Sequence, residues 1–195
     1  VIFLELAQSN DGTMYQVNLA AERIFGYNKD ELLNRKVNDI MPKTYSNIHD
    51  QILENYALTN KAVMMNKERL IWGKSKSGYL FPFTILIKPV KNLFSEKTEI
   101  FASIRREPWL KEIGVIVLSS DLVVTDVSSS MLNIYSSLTS RAINKRKINI
   151  VELIPAFLTL KAQCESNRTA SIEVERALVV DGVTHTQVVV FSLVV

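Results

Sequence analysis

Cysteine is almost absent from this chain. Cys164 is the single cysteine among 195 residues, which excludes both an internal disulfide framework and a thiolate-based zinc site. A fold that does without disulfides suits a reducing compartment. The sequence therefore predicts a cytoplasmic location, either for a free protein or for the cytoplasmic part of a membrane or cytoskeletal assembly.

Long apolar runs and strong charge are missing as well. The longest apolar runs, residues 113–118 and 188–195, fall far short of the roughly 18 residues that a membrane-spanning helix needs. The net charge of +3 is too small to indicate nucleic-acid binding. The one dense basic run, residues 141–147, is typical of a solvated surface loop. We predict no nucleic-acid partner, and membrane association only through parts outside this chain.

The usual signatures of catalysis are also missing. The two histidines, His49 and His185, are far apart in sequence, and there is neither a glycine-rich phosphate loop nor a Gly-x-Ser-x-Gly motif. We therefore predict that the chain is not an enzyme and that it has no catalytic residues and no metal site.

What the chain does contain is an internal repeat. Residues 3–25 and 113–135 share one pattern at a constant offset of 110 positions. The matches pair Ser9, Asn10 and Asp11 with Ser119, Ser120 and Asp121, Val17 with Val127, and Ile24 and Phe25 with Ile134 and Tyr135. A unit of about 100 residues is too long for a solenoid repeat and large enough to enclose its own core. The repeat predicts two homologous domains, residues 1–105 and 113–195, joined by a linker at 106–112.

In the first repeat, β-like runs stand at both ends and helical patterns lie between them. Alternating apolar residues in the run 79–89 predict a strand with one apolar inner face, formed by Phe81, Phe83, Ile85 and Ile87. Helices are expected near 19–25, after Asn28 and over 45–57; the last carries an apolar stripe of Ile48, Ile52, Leu53 and Tyr56. This order predicts an α+β fold, in which helices cover one face of an antiparallel sheet.

The second repeat is thinner than the first. A helix is expected over 156–163, followed by a hairpin of runs 172–180 and 183–195 around Asp181 and Gly182. Because no further strand follows this hairpin, the second domain is expected to be degenerate and to lack its final strand.

Short motifs of the first repeat match those of a known family. They are Asn18 with Ala20 and Ala21, Phe25-Gly26-Tyr27 with Glu31-Leu32, Met41-Pro42 followed by His49, and Lys76-Ser77-Gly78-Tyr79-Leu80-Phe81-Pro82. Over residues 1–105 this set resembles the PAS sensor domain. The second repeat has Ser128 in place of Asn18 and Ile154-Pro155 in place of Met41-Pro42. The tandem is also similar to PAS regions of large ciliate and slime-mould proteins of the tiny-macrocysts type.

The resemblance implies two PAS-like domains, each with a five-stranded antiparallel sheet that cradles a small cavity under short helices. Such domains bind cofactors or metabolites, or they act as dimerisation and signal-relay modules. Enzyme activity, where there is any, belongs to a neighbouring domain. Fold alone does not choose among these functions.

One alternative is a haem or small-molecule sensor. The resemblance to haem-binding PAS domains of oxygen-sensing kinases places the iron ligand at His49, with Arg69 near bound oxygen and with Ile52 and Leu53 lining the cavity. However, the basic residues that would neutralise the haem propionates are replaced here by Asn55 and Val63. The sequence therefore favours a structural His49 and no cofactor, and it keeps haem as the alternative.

The leading hypothesis is a sensory or interaction module that binds protein partners or another PAS copy. Apolar residues on both faces of a sheet imply that the outer face is covered. The candidate interface residues are Leu80, Leu86, Val188, Val190 and Trp109. A third hypothesis, that both repeats are spacers in a large assembly, predicts that Ile52→Trp alters stability alone.

Overall fold

The computed structural model describes residues 4–8, 12–59, 65–91, 98–107, 113–167, 169–180 and 183–194. The chain divides into two compact units, Val1–Lys147 and Ile148–Val195. The first unit therefore extends beyond the expected first domain, 1–105, and includes the start of the second repeat. Of the expected linker, residues 108–112 lie outside the described residues.

The first repeat forms one five-stranded antiparallel sheet. Its strands are β1 (Leu4–Gln8), β2 (Met14–Val17), β3 (Glu68–Lys74), β4 (Leu80–Lys91) and β5 (Thr98–Arg106), in the order β2-β1-β5-β4-β3. The last strand in sequence, β5, pairs with both β1 and β4, so it joins the two halves of the sheet. This is the α+β arrangement that the sequence predicts for the first repeat.

Helices connect β2 to β3, and local sequence signals set their ends. They are α1 (Leu19–Phe25), α2 (Lys29–Leu32), a 3-10 helix (Val37–Ile40) and α3 (Lys43–Thr59). The Asn18 side chain accepts a hydrogen bond from the Ala21 N–H at 3.1 Å, which caps the start of α1. Helix α1 ends at Gly26, whose φ of 77° lies in the left-handed region that glycine favours. The Asn28 N–H donates to Glu31 Oε2 at 2.9 Å, the bond expected of a capping box.

The hydrophobic core of the first repeat lies between the inner face of the sheet and these helices. Strand β4 contributes Phe81, Phe83 and Ile85, as its alternating pattern predicts, and Ile87 packs partly buried against them. The remaining core residues come from the other strands and the helices: Met14, Val17, Ala20, Ala21, Phe25, Leu32, Val37, Ile40, Ala102 and Ile104.

The start of the second repeat has the same strand pairing as the start of the first. Strands β6 (Ile116–Leu118) and β7 (Val124–Val127) pair with a register shift between Val117 and Leu118. Strands β1 and β2 shift at the equivalent place, between Ala7 and Gln8, and every paired residue corresponds at the offset of 110. A 3-10 helix (Ser129–Asn133) and helix α4 (Ser140–Lys145) follow.

The second compact unit contains α5 (Ile150–Leu153), α6 (Phe157–Asn167), β8 (Thr169–Val180) and β9 (Val183–Val194). The predicted hairpin is confirmed, because β8 and β9 pair along their whole length and Val180 lies opposite Val183. Helix α6 covers the predicted helix and packs against β8.

The five-stranded sheet expected in the second repeat differs from the observed arrangement. Among the described residues of 113–195, β6 and β7 form one two-stranded sheet and β8 and β9 form another. In the first repeat, β5 is the strand that joins the corresponding pairs. The described part of the second repeat has no counterpart of β5.

Candidate functional site

Helix α3 carries three of the four predicted pocket residues, and it buries only a narrow face. Leu53 is its one buried residue, whereas Ile52 is 49% exposed and Ile48 is 47% exposed. A Cβ atom placed on Gly12 would lie 3.1 Å from Leu53 Cδ1, so this leucine packs against the turn between β1 and β2. The expected cavity lining by the whole stripe is therefore wrong for Ile48 and Ile52, which lie at the surface.

His49 belongs to a polar network that ties α3 to the preceding 3-10 helix. Its Nδ1 lies 3.3 Å from Asn38 Oδ1. The Asn38 amide in turn donates to the carbonyl of Ser46 at 3.0 Å and to Asp50 Oδ1 at 3.1 Å. Lys36 Nζ completes the network with a bond of 3.1 Å to Asp50 Oδ2. His49 thus links α3 to the 3-10 helix through Asn38; the structural role that the sequence favours stays a prediction.

Burial makes the neutral form of His49 the stable one. The pKa of His49 is lowered from its ordinary value of 6.5, mainly because the ring is removed from water; the nearby Asp50 carboxylate opposes this shift. The pKa of Asp50 is also lowered, chiefly by its hydrogen bond to Lys36. At neutral pH the imidazole is therefore uncharged beside an ionised Asp50.

Arg69 lies on β3, on the inner face of the sheet. It is paired with Ile85 of β4, which belongs to the core, and directly paired residues project from the same face. The side chain is half-buried. The structure therefore places Arg69 on the strand that follows α3, on the inner face of the sheet; a role beside bound oxygen stays a prediction.

Aromatic rings occupy the centre of this inner face. The Phe25 ring centroid lies 5.3 Å from that of Phe81 and 6.0 Å from that of Phe83, and the rings meet edge to face. Gly73, opposite Phe81 on β3, makes the packing possible, because a Cβ atom there would lie 2.3 Å from the Phe83 ring. The alternating pattern of β4 identifies Phe81 and Phe83. It does not identify Gly73, because the requirement for glycine there comes from the Phe83 ring on the neighbouring strand.

The predicted interface residues have different fates. Leu80 is only 2% exposed, because the second repeat meets the end of β4 here and Ser128 forms a parallel bridge with Leu80. Leu86 is half-buried on the outer face. Val188 and Val190 lie on β9, opposite Glu175 and Glu173, and their side chains lie outside the described ones, as does Trp109.

A second group of contacts joins the two repeats within the first compact unit. Asp126 accepts hydrogen bonds from the backbone N–H of Lys43 at 2.9 Å and from Lys74 Nζ at 2.7 Å. Ser140 Oγ donates to the carbonyl of Ser77 at 2.9 Å. Sequence reasoning misses these residues, since no local pattern marks a side chain whose partners are 83, 52 and 63 positions away.

Comparison with known proteins identifies the fold. A family model described as a PAS domain matches residues 1–105. The chain belongs to the PAS family.

Relatives among curated proteins match part of the PAS region. A probable serine/threonine-protein kinase of Dictyostelium discoideum is 30% identical over 83 residues, which are 43% of this chain and 6% of that protein. Sensor protein FixL of Bradyrhizobium diazoefficiens is 30% identical over 76 residues, which are 39% of this chain and 15% of that protein. The chain therefore matches only a small part of the length of these relatives.

Solved PAS domains are among the structures that match this chain, at low sequence identity. The PAS domain of a Desulfitobacterium hafniense protein is 19% identical, with a TM-score of 0.44, and the match covers 53% of this chain and 92% of that one. A PAS domain from Colwellia psychrerythraea is 13% identical, with a TM-score of 0.45, over 55% of this chain and 87% of that one.

Some features of this PAS domain argue against a haem. Phe25 of α1 packs against Phe81 and Phe83 on the inner face of the sheet. The imidazole of His49 is directed to Asn38, and Asn55 stands exposed on α3 where a cation would be needed. Across the described ranges there is also no group of three or more His, Cys, Asp or Glu side chains suited to a metal ion.

No helix in the described part of the PAS chain is both long and apolar enough to cross a bilayer.

Val63, the other position where a propionate-binding cation is expected, lies outside the described residues.

Proposed function

We propose that this chain is a non-catalytic PAS module that mediates protein association or signal relay within a larger cytoplasmic protein or assembly. The observation that carries the proposal is the contrast between the two faces of the first sheet. The inner face carries the core side chains, whereas on the outer face Leu70 is 52% exposed and Val90 is 46% exposed. A ligand-binding role needs space inside, and an association role needs apolar surface outside.

Strand pairing defines the extent of this outer face. Leu86 is flanked by Glu68 on β3 and Ser103 on β5, and Leu70 lies opposite Thr84. Trp72 and Phe101, both half-buried, also project from this side. An ion pair between Arg105 of β5 and Glu68 of β3 (3.8 Å) crosses β4 beside Leu86, so the outer face combines apolar and charged side chains, as protein interfaces do.

The proposal treats the second repeat as a degenerate PAS copy. The shared register shift and the equivalent pairing of β1–β2 and β6–β7 support it. The burial of Leu80 supports it as well. Ser128 of the second repeat bridges to Leu80, as expected where one PAS copy packs against another. The likeness to tiny-macrocysts-type proteins and the 106–112 domain boundary stay predictions.

Analytical ultracentrifugation tests the association. The purified chain is expected to self-associate with rising concentration, and Leu70→Glu should weaken this at least tenfold. The matched control is Leu58→Glu, the same change on α3 at a residue that is 84% exposed. A chain that stays monomeric up to its solubility limit, or one that both substitutions affect equally, would contradict association through the outer face.

A haem or small-molecule sensor is the second candidate, with His49, Arg69 and Leu53 as the binding residues; Ile52, which is 49% exposed, is no longer among them. The inner-face position of Arg69 favours it. An absorption spectrum of the purified chain supplied with haem decides between the two. A Soret band that His49→Ala removes would support the sensor, whereas a colourless protein that self-associates would support the interaction module.

A further inference from the structure

Asp126 joins three elements through one buried carboxylate. It lies on β7 in the second repeat, and its side chain is completely buried. Oδ1 accepts a hydrogen bond from Lys74, the last residue of β3, and Oδ2 accepts one from the backbone N–H of Lys43, the first residue of α3. A strand and a helix of the first repeat are thus both bonded to the second.

Helix α3 has no capping side chain of its own. The residue before Lys43 is Pro42, which has no side-chain acceptor, although the first N–H groups of a helix require one. A carboxylate is favourable at this end of the helix because of the helix dipole. Asp126 therefore takes the place of the local cap from 83 positions away.

Three further contacts connect α3 to its surroundings. Lys43 Nζ donates to Asn144 Oδ1 at 3.2 Å, so a second residue of the second repeat also holds the start of the helix. Further along the same helix, His49 contacts Asn38 and Leu53 packs beside Gly12 in the first repeat. The helix with the candidate pocket residues is therefore held by both repeats.

We propose that Asp126 is a positioning residue that couples helix α3 to the second repeat. A buried carboxylate is costly to leave without partners, so a displacement of the start of α3 has to move β7 or break this bond. Coupling between two parts of a protein acts equally in both directions. The inference deepens the proposed relay function and rests on that function for its use, but the coupling itself is measured separately.

Hydrogen exchange of the full chain, followed by mass spectrometry, tests one direction. In Asp126→Asn, exchange in the first turn of α3 and at the end of β3 is expected to accelerate at least tenfold. Asp121→Asn removes the same charge from an exposed position in the same repeat and should leave those rates unchanged. Equal rates in the two variants, each with the circular dichroism of the parent, would overturn the proposal.

Substitutions at Lys43 test the reverse direction and keep the test valid if Asp126→Asn fails to fold. Proline is well tolerated as the first residue of a helix and has no N–H, so Lys43→Pro removes the bond to Asp126. Lys43→Ala retains that N–H and loses only the contact with Asn144. Exchange over residues 115–128 should accelerate in the proline variant relative to the alanine variant; equal rates would refute the coupling.

The two proposals fail in different ways. A monomeric chain with accelerated exchange in these variants would remove association through the outer face and retain the coupling. A self-associating chain with unchanged exchange would do the opposite.

Discussion

At the scale of single residues, His49 shows how one environment favours a structural role over a ligand role. The ring is partly buried and bonded to Asn38, and the pKa of His49 is lowered mainly by burial. A metal ligand also requires a neutral imidazole, so protonation state alone does not separate the roles. The bond between His49 Nδ1 and Asn38 Oδ1 favours the structural role.

The lowered pKa of His49 predicts a pH dependence of stability. The unfolded chain binds a proton at this residue more readily than the folded chain does, so the free energy of unfolding should fall as pH drops through about 6.5. His49→Asn should reduce this slope. Urea unfolding at several pH values between 5 and 8 measures it. The lowered pKa of Asp50 acts in a more acidic range, and an unchanged slope in the variant would contradict the assignment.

Leu122 occupies a backbone conformation that suits glycine. Its φ is 61°, and the equivalent residue of the first repeat is Gly12, with a φ of 81°. A non-glycine residue in this region destabilises the folded chain by about 1–2 kcal/mol. Glycine avoids this strain, but it loses more conformational entropy on folding, which offsets part of the gain. Leu122→Gly should therefore stabilise the protein by up to about 1 kcal/mol in thermal or urea unfolding.

Gly12→Ala is the matched change in the other repeat, and the opposite sign is expected. The added Cβ would sit 3.1 Å from Leu53 Cδ1 in a strained backbone conformation. A destabilised Leu122→Gly, or a neutral Gly12→Ala, would show that the two turns are not equivalent.

At the scale of elements, local sequence signals predict where helices begin and end. They do not predict how much of a helix face is buried. The helices begin and end close to the predicted positions, and Asn18, Gly26 and the pair of Asn28 and Glu31 set those ends, because caps act within three or four residues. The stripe on α3 has the correct helical spacing, but Ile52 is exposed. Spacing shows which residues share a face, whereas the packing partners decide how much of that face is buried.

The turn between β3 and β4 is held by a close contact with the second repeat. Gly78 has a φ of 85°, and a Cβ atom on it would lie 2.8 Å from Ser140 Cβ. Gly78→Ala should therefore destabilise the chain through both the backbone and the clash. Gly26→Ala is the control, since φ is similar there and the nearest atom would be at an ordinary 3.8 Å.

The difference between these two variants isolates the contact. Gly26→Ala is expected to cost about 1–2 kcal/mol, from the backbone alone, and Gly78→Ala should cost more. Adding Ser140→Gly should remove the clash, and Ser140→Gly alone measures the loss of its bond to the Ser77 carbonyl, which is subtracted. Equal unfolding free energies for the two alanine variants would show that Ser140 can move away from the added methyl group without a measurable cost.

At the scale of the whole molecule, the internal repeat predicts two homologous segments. Tertiary contacts decide which compact unit each segment joins. The offset of 110 correctly anticipates the shared strand pairing of β1–β2 and β6–β7. It gives no sign that residues 113–147 join the compact unit of the first repeat. That grouping depends on Asp126, Ser128 and Ser140, each of which contacts a distant partner.

This grouping predicts that residues 1–107 alone are less stable than residues 1–147. The shorter fragment lacks Ser128, which bridges to the nearly buried Leu80, and it lacks Asp126, the partner of Lys74. Exposing a leucine costs about 1.5–3 kcal/mol, so a difference of about 2 kcal/mol or more is expected. Urea unfolding measures it, and a single transition with a steeper slope in the longer fragment would mark one cooperative unit. Identical midpoints and slopes would instead place the boundary at 106–112.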